Sequence, residues 1–203
     1  MTAISSKTCA AFFEHRLIAS GAPLDVAIAV KEFIGDDAHS PVLIFDDDTS
    51  EQLEFDFRGT LQDVCRRLSL AERQDQPLPG AAADSEKSRG RGRPRLGVVS
   101  REVTLLPRHW DWLGEQPGGA SVALRKLVEK ARHDYADVDA RRRVQERAFR
   151  FMNVIAGNLD NFEDAIRSLY AADKEKFATC INDWPKDISD HCWRLTASLW
   201  QAG

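Results

Sequence analysis

Cysteine is scarce, with four in 203 residues, and none of Cys9, Cys65, Cys180 and Cys192 stands three positions from another. That excludes a local C-x-x-C redox motif or zinc ribbon and predicts reduced, semi-buried thiols. No apolar run approaches the ~20 residues that span a bilayer. The opening "MTAISSKTCAAFFEH" carries Lys7 but neither a long apolar core nor a small-residue cleavage pattern, so it does not read as a signal peptide. No membrane association and a cytoplasmic location are expected. No H-E-x-x-H, P-loop, G-x-G-x-x-G or G-x-S-x-G occurs, and none of the five histidines falls at a metal-ligand spacing. Asp190, His191 and Cys192 are adjacent, but neighbouring helical residues point apart, so they form no triad. Asp46, Asp47, Asp48, Ser50 and Glu51 offer oxygen ligands. An EF-hand loop counted from Asp46 would need glycine at its sixth position, where Glu51 stands; a polar hairpin loop is the plainer reading. The expectation is therefore no catalytic residue, no metal and no cofactor. An enzyme whose groups converge from distant positions is a third reading.

What the chain does contain is unevenly distributed charge. The total is −4, yet residues 87–150 hold 16 Lys/Arg against 8 Asp/Glu. Residues 1–71 hold 6 against 12, and residues 151–203 hold 5 against 8. An acidic head, a basic middle and an acidic tail imply that a polyanion would meet the middle.

The composition is globular, with 43% hydrophobic and 30% charged residues. The pattern predicts an α+β protein in three parts. Residues 1–70 read as a small antiparallel β-β-α-β-β-α domain. Its strands are "TCAAFFE", "RLIASG", "PVLIF" and the alternating "EQLEFDFR". Its helices are "PLDVAIAVKEFIG", with Val26, Val30 and Phe33 on one face, and a segment capped by Thr60 and running to Leu68. Residues 71–97 have no periodicity and too little to bury, and read as a flexible basic linker. Residues 98–203 read as mainly helical. A unit over 98–135 contains a possible strand "GVVSREVTLL", the helix "PRHWDWLGEQ", a "PGG" break and the helix "SVALRKLVEKARHDY". A helical bundle over 136–203 follows, with Pro185 interrupting it. In the second helix of 98–135, Leu124, Leu127, Val128 and Ala131 fall at i, i+3, i+4 and i+7, and Ser121 is the candidate N-cap. Trp110 and Trp112 stand two apart and cannot share a helical face. One is expected in the core with Leu106 and Leu113, and the other at the surface, where a single stacking platform for bases is a further option.

The linker carries "SEKSRGRGRPRLG", residues 85–97. Glycine lets backbone lie close to a surface, and proline favours an extended residue before it. An extended Arg91-Gly92-Arg93-Pro94-Arg95, preceded by Arg89, can enter the narrow, negative A·T minor groove, whose edges suit a donor-only side chain. The alternatives are a solvated spacer, or a protein or RNA contact. Gly92-Arg93-Pro94 with flanking Arg91 and Arg95 resembles an AT-hook. The 98–135 unit resembles a ribbon-helix-helix fold, in which two chains pair their strands and enter the major groove. That resemblance implies a homodimer. It would place Ser121 and Val122 at a phosphate, with Arg101, Arg108, Arg125 and Lys126 neutralising the backbone. Glu102 departs from it, and the same residues could be ordinary core elements of a helical domain.

Across nearly the whole chain, "RLIASG", "PVLIFDD", "LEFDFRGT", "GRPRLGVVSREVTLLPRHWDWL", "QPGGASVALRKLVEKAR", "FRFMNVIAGNL" and "DWPKDISDH" resemble the uncharacterised bacterial family called domain of unknown function 2239. The resemblance implies a bacterial origin, and an arm and helical unit that belong together. It transfers no site residue. The expected function is DNA binding, regulatory or nucleoid-associated, on A·T-rich duplex. The acidic N-terminal domain is expected to meet a protein or sense a ligand. The alternative is a protein-interaction adaptor with a basic spacer.

Overall fold

The computed structural model describes residues 8–35, 37, 40–75 and 101–201. They form three strands and eight helices: β1 (Cys9–Phe13), β2 (Arg16–Gly21), α1 (Pro23–Ile34), β3 (Val42–Asp46), α2 (Leu61–Asp75), α3 (Pro107–Glu115), α4 (Gly119–Asp134), α5 (Ala136–Ile155), α6 (Phe162–Ala171), α7 (Lys174–Ile181) and α8 (Lys186–Thr196). A closing 3-10 turn spans Ala197–Trp200. The protein is α+β, as its patterning predicts.

The sheet is antiparallel, in the order β2-β1-β3. Its central strand, β1, is buried on both faces, and its period-2 alternation sorts its side chains into two cores. Cys9 and Ala11 join Ile44, Val26 and Val30, so this face is covered by α1. Ala10 and Phe12 join Phe45, Phe151, Met152, Leu169, Phe177, Ile188 and Cys192, so the other face is covered by the C-terminal helices. Phe12, Phe45 and Phe151 pack with ring centroids 5.1–6.2 Å apart. At the sheet edge, the Leu17 N–H donates to Asp187 Oδ2 of α8 at 2.8 Å.

This shared core redraws the domain boundaries expected at 70 and 98. The chain divides into one compact unit of Met1–Pro77 with Asp139–Gly203, and a second of Leu78–Val138. The sheet cannot be a free-standing N-terminal domain, because one of its two apolar faces has its complement beyond residue 139.

α1 follows its sequence signals. Pro23 opens it, and Gly35 closes it at φ +58. Val26, Ala27 and Val30 are buried, whereas Phe33 is left exposed against Phe13. The fourth strand is not formed. Leu53, Phe55 and Phe57 do lie against the α1-side core, so the alternation places their face correctly. Ladder pairing, however, stops at the Phe45–Gln52 bridge and the Leu53 N–H to Ile44 carbonyl bond. Beyond it, Arg67 of α2 donates to the carbonyls of Asp56 and Arg58, and Asp56 accepts the Arg58 N–H. Side chains have taken the backbone groups that a ladder would use.

α2 begins with a reciprocal cap. Thr60 N–H and Oγ1 donate to Asp63 Oδ2 at 3.1 and 2.7 Å, and Asp63 N–H returns to Thr60 Oγ1. Those bonds hold the Asp63 carboxyl below its usual range. The helix runs seven residues past the expected Leu68, so 71–75 are helical rather than linker.

Candidate nucleic-acid interface

The basic middle of the chain is represented by the α3–α4 hairpin. Pro107 presets the first turn of α3. Gln116 ends it, and its carbonyl accepts the Gly119 N–H at 2.8 Å. Gly118 turns the chain at φ +88, and a Cβ there would sit 3.1 Å from Val122, so only glycine makes this turn without strain. Leu113 and Ala123 are the buried side chains of the hairpin.

The predicted contact residues fall as follows. Arg89, Arg91, Gly92, Arg93, Pro94 and Arg95 lie outside the described residues. Arg101 is exposed in 101–106, a stretch with no strand pairing; the ribbon strand expected there needs a second chain and is not formed in one. Arg108 is exposed in the first turn of α3, and Arg125 and Lys126 are exposed on α4. Ser121 is not the N-cap. The helix starts two residues earlier, Gly118 occupies the cap, and no side chain caps it. Helical spacing sets Ser121, Arg125 and Arg132 along one flank of the apolar row, Lys130 on the other flank, and Lys126 across from it. Among the described residues, Arg101, Arg108, Arg125 and Lys126 make no ion pair; Arg132 pairs with Glu129.

Two expectations about the hairpin are overturned. Trp110 and Trp112 are both exposed, at 42% and 50%, so neither is the core partner of Leu113. The row expected as core is also uncovered, with Leu127 and Val128 exposed at 47% and 54%. Periodicity identifies an apolar face but not what covers it.

The Asp190-His191-Cys192 run and the Asp46–Glu51 loop are placed as follows. His191 is buried, with its ring 4.3 Å from Phe151 and 5.1 Å from Phe12, and its Nδ1 accepts from Arg194 at 2.8 Å. Burial, then the charges of Arg194 and Arg147, lower its pKa to about 3, so it is a neutral core residue. Cys192 is fully buried, and burial pushes its thiol far up; Asp190 pairs with Lys186 instead. Burial likewise pushes Cys9 up to about 12, helped by Asp47 and Asp46.

The Asp46–Glu51 loop is held by its own side chains. Asp46 Oδ1 accepts from the N–H groups of Asp48 and Thr49 and from Thr49 Oγ1, an Asx turn rather than a ligand aimed outward. The loop is also clasped from outside. Arg150 donates to the Thr49 carbonyl, and Arg194 pairs with Asp47 at 3.2 Å. Beside this clasp a crevice of about 160 Å³ is lined by Asp47, Arg147, Arg194 and Leu195. Arg147 spends one of its donors there on the Leu195 carbonyl near the end of α8. No sequence signal pointed to this arginine cluster, since its members are 48 to 147 residues from the loop and α8 groups they hold.

Among the described residues, no helix is long and apolar enough to cross a membrane. No curated protein and no solved structure matches the chain. A family model, described as "Uncharacterized protein conserved in bacteria (DUF2239)", matches residues 8–196, and the chain belongs to that family.

Proposed function

We propose that the protein binds DNA in a regulatory or nucleoid-associated role. The Arg91-Gly92-Arg93-Pro94 arm takes the A·T minor groove, and the α3–α4 hairpin contacts flanking phosphates. One observation carries this reading. Arg101, Arg108, Arg125 and Lys126, which follow the arm in sequence, have no carboxylate partner among the described residues, whereas seven arginines of the sheet-bearing unit, Arg58, Arg66, Arg67, Arg142, Arg150, Arg167 and Arg194, each pair with a carboxylate of that unit. Unpaired exposed cations can neutralise phosphates without first breaking an internal bond.

The test is a gel shift on A·T-rich and G·C-rich duplexes at two salt concentrations. The expected result is preference for the A·T-rich duplex, with log affinity falling linearly in log salt at ~0.9 per phosphate neutralised. Arg91→Ala with Arg93→Ala should reduce that slope by ~1.8 and abolish the A·T preference. Equal binding by this double variant and the natural chain removes the arm from the interface. No binding to either duplex at low salt removes the function.

A further inference from the structure

We infer that the α3–α4 hairpin completes its core against a second copy of the same chain. Of thirteen large apolar side chains left exposed among the described residues, eight lie between Val103 and Val138, including Leu106, Trp110, Trp112, Leu127, Val128 and Tyr135. The two helices of the hairpin order 9 and 16 residues, yet bury only Leu113 and Ala123 among the described side chains. So little apolar burial does not offset the conformational entropy of two ordered helices.

The form of the α4 row selects the occupant. Trp110 and Trp112 point apart on α3, but Leu124, Leu127, Val128 and Ala131 form one stripe along α4, with Leu127 and Val128 about half exposed. The chain's own residues 76–100 are a poor cover, because Leu78, Leu96, Val98 and Val99 are their only large apolar residues, against five Lys/Arg. A second hairpin is a better match. Two α4 helices paired antiparallel about a two-fold axis set Leu127 against Val128 and Leu124 against Ala131, large opposite small in both directions. Such a dimer would also carry two basic arms, and hence two linked contacts on one duplex. The inference does not depend on DNA binding, because the mass is measured without nucleic acid.

Sedimentation equilibrium of the purified full chain tests it. The expected mass is twice the 22.8 kDa of the chain, falling toward the monomer on dilution. Leu127→Asp with Val128→Asp should be monomeric. Val154→Asp, at an exposed apolar position on α5, should remain a dimer. Because two aspartates could unfold α4, Leu127→Ala with Val128→Ala is the companion variant. Alanine favours helix, so this variant should retain the helical circular dichroism while raising the dissociation constant at least tenfold. A natural chain that stays monomeric at hundreds of micromolar overturns the inference, as does an alanine variant with unchanged dimer affinity.

Discussion

The sheet-bearing unit and the α3–α4 hairpin satisfy their side chains in opposite ways. In the first, both faces of β1 are covered, and Arg58, Arg66, Arg150, Arg167 and Arg194 each meet a carboxylate of the same unit. In the second, tryptophans and a leucine–valine row are exposed, and Arg101, Arg108, Arg125 and Lys126 have no ionic partner among the described residues. A unit whose apolar and charged groups find partners internally is built for stability. One whose groups do not is built to receive something else. Both unmatched features, cations and apolar row, occupy the same hairpin, and that is where partners should be sought.

The largest test of this contrast is in the shared core. Phe151→Ala should cost about 3–5 kcal/mol, because it removes the ring that Phe12, Phe45 and His191 pack against. Urea unfolding should show sheet and C-terminal helices lost in one transition. Two transitions, with only the helices weakened, would separate the sheet from them again. Arg125→Ala with Lys126→Ala probes the other side. Stability should change by less than about 0.5 kcal/mol, while duplex affinity should fall roughly tenfold at low salt and less at high salt. A large stability loss would mean that these cations are structural.

A third test uses the buried histidine. His191 titrates near 3 when folded against 6.5 when unfolded, so between those values the unfolded chain binds the extra proton. Its contribution is complete above pH 6.5 and is lost as pH falls toward 3, at about 1.4 kcal/mol per pH unit. The depressed carboxyls of Asp56 and Asp63 act in the same direction at lower pH, where protonation removes their bonds to Arg58 and Thr60. His191→Asn keeps an acceptor for Arg194 and should flatten the slope between pH 6.5 and 5, measured by urea midpoints. An unchanged slope would place the titration elsewhere. The smallest effect belongs to the loop clasp. Asp47→Ala breaks a partly exposed pair with Arg194 and should cost under about 1 kcal/mol, leaving the thermal midpoint within a few degrees.

Local signals located most of the elements. The run "VLIFD" is β3, Pro23 and Gly35 bound α1, and Pro185 falls between α7 and α8. Reading failed where a distant group intervened. Residues 53–58 alternate as a strand should, but Arg67 of the following helix takes their carbonyls. The boundary at 70 is a fair reading of composition, yet Phe12 and Phe151 are partners across it. One of Trp110 and Trp112 was expected in the core, yet both are exposed, and spacing alone could not show that. Of the candidate site, the cations on α3 and α4 were legible from charge and helical period. The Ser121 cap was not, because Gly118 in the left-handed region starts the helix earlier.

By itself the sequence determined most of the helices and the three strands of the sheet, and that positive charge gathers in the middle of the chain. These depend on backbone preference, side-chain period and composition, which act over a few residues. Only the tertiary structure decided that the sheet lies between α1 and the C-terminal helices, that His191 is a neutral core residue, and that the apolar row of α4 is uncovered. Each of those depends on which apolar face meets which, and burial is a property of pairs of surfaces rather than of any one segment.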